Sequence, residues 1–152
     1  MLTQVPATLQ HVRDLLPTLR PEDARELQSS SGGAPFVSMV RAIGLSDWSV
    51  AALDEDNLPV VLFGLARLDE GVGTPWMVAS TKITQHALQV ARFTRPIVAK
   101  MNRDYPILWN RADLRNSLHL KWLRWAGFRF GALVDAPDGS PFIEFSRIPT
   151  NV

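Results

Sequence analysis

The feature that most constrains this chain is a change of hydrophobic period in its middle. Two apolar runs, Trp48 to Leu53 and Val60 to Leu68, flank the turn-forming Asp54-Glu55-Asp56-Asn57 and predict a β-hairpin. Trp76-Met77-Val78-Ala79 follows a Gly-rich turn and predicts a buried strand. From His86 to Arg103 the spacing becomes helical, with Val90, Phe93, Ile97 and Met101 at steps of three and four forming one apolar stripe. Ile107-Leu108-Trp109 then predicts another strand. A helix crossing between two strands, set among hairpins, requires a mixed sheet.

The flanking segments fill in this frame. Thr8 to Leu16 has helical spacing with Thr8 as N-cap, and Pro21-Glu22-Asp23 reads as the acidic first turn of a second helix ending near Gln28. Ser29-Ser30-Ser31-Gly32-Gly33 predicts an internal loop, and Pro35 to Ile43 a third helix stopped by Gly44. Pro96 should kink the long helix or restart it after Thr94. Asp113 to Ala126 predicts a further helix, with Leu114, Leu118, Trp122 and Trp125 as its core stripe and Asn116 and Leu123 on the opposite face. Phe128 to Val134 and Phe142 to Ile148 close the chain as a hairpin around Pro137-Asp138-Gly139-Ser140. The predicted order is helices, three strands, helix, strand, helix, two strands. That predicts a single α/β (α+β) domain over residues 1–152, with a mixed, mostly antiparallel central sheet and helices on both faces.

Composition excludes several function classes. At 152 residues the chain can bury a real core, and the absence of cysteine removes disulfides, thiolate catalysis and Cys-ligated zinc. The formal net charge of +1 gives no overall electrostatic signature for nucleic acid or an anionic membrane. No basic region followed by an apolar stretch opens the sequence, and no run approaches about 18 apolar residues, so neither secretion nor membrane insertion is expected. His11, His86 and His119 lack metal-ligand spacing, so no metal site is expected.

The element order resembles the GNAT N-acetyltransferase fold, and Asn116 with Gly127 and Phe128 resembles that family's pattern of an Asn in the helix after the fifth strand and a Gly-Phe pair beyond it. A narrower resemblance is to the internal virion proteins of short-tailed bacteriophages. It rests on Pro106-Ile107-Leu108-Trp109-Asn110, Asn116-Ser117-Leu118-His119, Trp122-Leu123-Arg124-Trp125-Ala126-Gly127-Phe128, and Pro75-Trp76.

The first resemblance implies three pieces of chemistry. A Gly-containing loop should cradle the pyrophosphate of acetyl-CoA through backbone N–H groups at a helix start. The corresponding loop, Ser80-Thr81-Lys82-Ile83-Thr84-Gln85-His86, has no glycine, and none occurs between Gly73 and Gly127. If acetyl-CoA binds, the residues expected to hold it are Val78, Ser80, Thr81, Lys82, Thr84 and Asn116. The alternative for the loop residues is a polar cap over a helix start. A general acid, commonly Tyr in the family, should stand at position 123, where this chain has Leu. His119 is the one nearby substitute. Candidate bases are Asp47, Asp54 and Glu55, each at a turn or strand end, and Tyr105 reads as structural. The five tryptophans, Trp48, Trp76, Trp109, Trp122 and Trp125, are expected in the core, and Arg92, Arg95, Lys100 and Arg103 form a solvated face able to dock an acidic partner.

The leading expectation is therefore a virion-associated phage protein with no cofactor and no catalytic residue. It would work through contacts with other virion proteins, in the particle and in the host cytoplasm during assembly. The alternative is an active N-acetyltransferase using acetyl-CoA.

Overall fold

The computed structural model describes residues 1–149. Seven strands form one sheet in the order β1-β2-β3-β4-β5-β7-β6. They are β1 (Thr3–Pro6), β2 (Ser46–Leu53), β3 (Pro59–Asp69), β4 (Val72–Ala79), β5 (Ile107–Asp113), β6 (Arg129–Asp135) and β7 (Pro141–Arg147). Every neighbouring pair is antiparallel except β4 and β5. Five helices cover it: α1 (Leu9–Leu15), α2 (Pro21–Ser31), α3 (Pro35–Leu45), α4 (Ala87–Asp104) and α5 (Ser117–Trp125). The first three pack on one face around Val12, Leu15, Met39 and Leu62. The last two pack on the other, around Val90 and Phe63 at one end and Val98, Leu108 and Phe145 at the other. The expected mixed sheet with helices on both faces is what forms.

Local chemistry explains the element ends. Thr8 caps α1 through a box in which its hydroxyl accepts from the His11 N–H while the His11 ring returns a bond to the Thr8 N–H. Proline starts both α2 and α3, where its missing N–H has no intrahelical partner to lose. The apolar stripe of α4 lies on the core as its spacing predicts, with Val90 and Met101 buried and Phe93 and Ile97 packed beside them.

Several boundaries differ from the expectations. The strand Thr3–Pro6 was not predicted; its residues are short of apolar side chains, and it pairs with β2 at the sheet edge through backbone bonds. Ser29–Ser31 belong to the last turn of α2, and the chain turns at Gly32, whose φ of 70° suits glycine. Gly44 does not stop α3, which runs to Leu45. Pro96 neither interrupts nor restarts α4, which is assigned continuously through it. The segment from Asp113 is not helical at once: Asp113 ends β5, and α5 begins at Ser117. The side that α5 buries also differs from the expected stripe. Leu114 and Trp125 are exposed, whereas Leu123 is buried and packs in the core with Val98 and Phe128. Trp125 is thus exposed and Trp109 joins no core cluster, whereas Trp48, Trp76 and Trp122 pack against the core partly buried.

Candidate functional site

The site follows from the way β4 is paired. On one side β4 runs against β3 along its whole length, from Asp69 opposite Val72 to Val61 opposite Ala79. On the other it meets β5 at two positions, Val72 with Ile107 and Gly73 with Leu108, and then the strands part. Backbone groups alternate along a strand, so beyond this point the C=O of Pro75 and the N–H and C=O of Met77 and Ala79 face the gap.

Side chains replace part of the missing ladder. Asn110 donates its side-chain amide to the Pro75 carbonyl at 2.8 Å. At the far end the Ala79 N–H donates to the Asp23 carboxylate at 2.8 Å, and the Arg20 N–H donates to the Ala79 carbonyl at 2.9 Å. The start of α2 thus takes the place of a strand on β4. Between these two bridges, Met77 has no partner for its gap-facing backbone groups among the described residues.

A cleft opens here on each face of the sheet. Toward α4 and α5 it is narrow, about 70 Å³, and walled by hydrocarbon, including Phe63, Phe93, Ile97, Leu123 and Phe128. Toward α2 and α3 it is about 220 Å³ and mixed in character, with Glu26, Met39, Asn110 and Phe142. Pro75, Trp76, Met77, His119 and Phe145 line both.

A buried polar cluster stands at the junction. Asp23 accepts from the Arg20 guanidinium and from the Asn116 amide, each at 2.8 Å, in addition to Ala79. Burial pushes the Asp23 carboxyl above its ordinary range, against the lowering pull of Arg20, His119 and these donors. Asn116 is wholly buried; it starts α5 without capping it, because its amide is held by Asp23 and its oxygen accepts from Arg20 at 3.3 Å. Glu26 accepts from the Asp113 N–H at 2.9 Å and meets His119 Nδ1 at 3.3 Å. Burial alone would lower the His119 pKa, but the Glu26 charge and hydrogen bond, with Asp23 behind them, hold it above the usual histidine range. His119 Nε2 has no hydrogen-bond partner among the described residues.

The residues expected around the cofactor loop are placed differently. Val78 packs in the α1–α3 side of the core, and its backbone belongs to the β3 ladder, so Met77 is the strand residue facing the gap. Ser80 is wholly buried, donating to the Thr18 hydroxyl and accepting from the Lys82 N–H. Residues Thr81–Gln85 form a 3-10 turn in which the Thr84 hydroxyl bonds the Thr81 carbonyl and Lys82 is paired with Asp54 at 3.0 Å. Most of the loop's polar groups are thus engaged as a cap over the helix start. What remains to meet an anion is the first turn of α4, which carries no side-chain cap. Leu123 lines the apolar cleft, but Asn116 lies apart from it in the Asp23 cluster. Asp47 accepts from the Tyr105 hydroxyl, Asp54 is tied to Lys82, and Glu55 is exposed beside the terminal amine; none lines the passage. No group of three potential metal ligands occurs among the described residues, and no helix is long and apolar enough to cross a membrane.

Arg20, Asp23, Glu26 and Met77 were not singled out from the sequence as site residues. Arg20, Asp23 and Glu26 recur at steps of three, a polar line on one side of α2 that was readable only as a solvated face.

The architecture has counterparts of known structure. A candidate acetyltransferase from Acinetobacter baylyi ADP1 superposes with a TM-score of 0.74 at 11% identity, over 100% of this chain and 95% of that one. A GCN5-related N-acetyltransferase from Kribbella flavida gives 0.70 at 14%, over 97% and 98%. A GNAT-superfamily phosphinothricin acetyltransferase from Sinorhizobium meliloti, solved with acetyl-CoA, gives 0.64 at 10%, over 96% and 87%. No family model and no curated protein sequence matches the chain. The chain has the GNAT fold.

Proposed function

We propose that this chain is a GNAT-fold N-acyltransferase whose reaction passage is the cleft between β4 and β5. The observation that carries this is the parting of the two strands after two pairs, with the clefts on both faces meeting at Met77 and His119. An acyl-CoA arm would enter from the α4/α5 side and an amine from the α2/α3 side. Support comes also from neighbours of the same fold that hold coenzyme A or acetyl-CoA.

The residues fit the two ends of such a cofactor unequally. The free N–H and C=O of Met77 suit an amide of the pantetheine arm, and the hydrocarbon walls suit its narrow chain. The loop after β4 offers no glycine cradle, so the diphosphate would rest on the uncapped first turn of α4. When bound, acetyl-CoA supplies an acyl group activated as a thioester; transfer forms a C–N bond, breaks the C–S bond and carries a proton from nitrogen to sulfur. His119, whose hold on a proton Glu26 strengthens, can give a proton at Nε2. Phe63, Phe93 and Leu123 exclude water from the narrow cleft.

A second reading has its own observations: Asp23 and Arg20 occupy the edge of β4 at Ala79, and Leu123 stands where a general acid is expected. In it the domain is a catalytically silent phage virion component acting through contacts with other virion proteins. Its absence from purified mature particles would remove this reading.

Calorimetric titration with acetyl-CoA and CoA tests the first. Micromolar binding, weakened by Met77→Pro, supports the passage as a cofactor site. No heat and no thermal shift at millimolar cofactor would reject it.

A further inference from the structure

Charge on this molecule is far less even than its sum. Lysine and arginine total 16 and aspartate and glutamate 15, yet no acidic residue occurs between Glu70 and Asp104, nor between Asp113 and Asp135. Those two stretches contain α4 as far as Arg103 and the whole of α5. The helices are joined at Trp125: the Arg95 guanidinium lies 3.5 Å from its ring centroid and donates to its carbonyl at 3.0 Å, while the indole N–H donates to the Ala91 carbonyl. They therefore present one continuous outer face.

Arg92, Arg95 and Arg103 lie on the outer side of α4, turned away from Val90, Val98 and Met101. Lys121 and Arg124 on α5 extend the row, and all five are exposed. None of the five has an acidic partner among the described residues. Elsewhere Arg20, Arg25, Lys82 and Arg115 are each paired with a carboxylate. Other cations without a carboxylate partner, Arg13 and Arg41 among them, are scattered over the molecule, whereas these five share one face.

We propose that the outer face of α4 and α5 binds the phosphate backbone of double-stranded nucleic acid without reading its bases. Four of the five cations are arginines, whose planar fork matches phosphate oxygens. From Arg92 to Arg103 the row spans about 16 Å at ~1.5 Å per residue, a length that suits a repeating backbone better than a single anion. An acidic protein surface fits less well, because protein interfaces are built around an apolar core. Here the exposed apolar side chains are Leu88, one turn before Arg92, and Trp125, which Arg95 covers. The passage between β4 and β5 plays no part in this proposal.

The test is fluorescence anisotropy of the full chain with labelled 20-base-pair duplex DNA of two unrelated sequences. Binding is expected at low salt, with affinities for the two sequences within about twofold. With about four phosphates engaged, the slope of log affinity against log salt should be near −4. Arg92→Glu with Arg124→Glu should weaken binding at least about thirtyfold by the same charge logic, and the milder Arg92→Gln with Arg124→Gln should weaken it in the same direction. Arg13→Glu with Arg41→Glu changes net charge equally on the α1–α3 side and should cost less than about threefold. Absence of binding at 50 mM salt would overturn the proposal. So would equal losses from the two charge-reversal pairs, or stronger binding of polyglutamate than of the duplex.

Discussion

The two sides of β4 are built from the same eight residues and by different means. Toward β3, backbone bonds run the length of the strand, and side-chain identity matters through packing. Toward β5, the backbone ladder ends after Gly73, and individual side chains decide what happens next: Asn110 bridges, Met77 is left free, and Asp23 with Arg20 closes the end. A ladder is satisfied by almost any sequence, whereas a parted edge must be satisfied residue by residue. Chemistry collects at the parted edge because that is where unspent backbone groups meet buried ionisable side chains.

The largest expected effect tests whether Asp23 holds that edge. Asp23→Ala would strand the Arg20 guanidinium, the Asn116 amide and the Ala79 N–H together, and should cost about 3–5 kcal/mol by urea unfolding. A loss under about 1 kcal/mol would mean the edge is satisfied in some other way.

The laddered side is broken by bulk instead. A Cβ at Gly64 on β3 would stand 2.8 Å from the Trp48 carbonyl and from the Trp76 ring, so Gly64→Ala should cost about 1–3 kcal/mol and alter tryptophan fluorescence. Thr8→Ala, remote from both edges, removes the α1 cap and should cost about 1 kcal/mol, setting the scale for a change that touches neither.

The mildest test is a slope with pH. His119 holds its proton more tightly folded than unfolded, so its contribution is full below the ordinary value of 6.5 and fades as pH rises through the raised folded value. Stability measured upward from pH 6 should decline, and Glu26→Gln should flatten that decline. An unchanged slope in Glu26→Gln would show that the pair does not hold the proton.

The comparison also explains what the sequence made legible. The β2–β3 hairpin, the α4 stripe and the Asn116, Gly127 and Phe128 pattern were readable because each is carried by residues close together or periodic. The N-terminal strand was not, since its four residues pair through backbone at an edge and carry almost no apolar signal. The α5 face was misread because the stripe was centred on Leu118 and Trp125, whereas the helix turns its Leu123 and Ala126 side to the core. The Asp23–Asn116 bond joins residues 93 apart, and nothing local in either segment announces it. Likewise the net charge of +1 concealed the basic face, because a sum carries no information about position.

The strand order has a consequence in time. β7 is synthesised after β6 yet lies between β5 and β6, making six paired positions with β5. While a ribosome is still adding Pro141–Arg147, the first four strands can already form their consecutive antiparallel meander. Until β7 is in place, β5 has two pairs on β4 and no neighbour on its other side. Phe145, which lines both clefts, arrives within that final strand. The wall that Phe145 gives the passage therefore exists only once β7 has entered between β5 and β6, and until then β6, which pairs with β7 alone, has no place in the sheet.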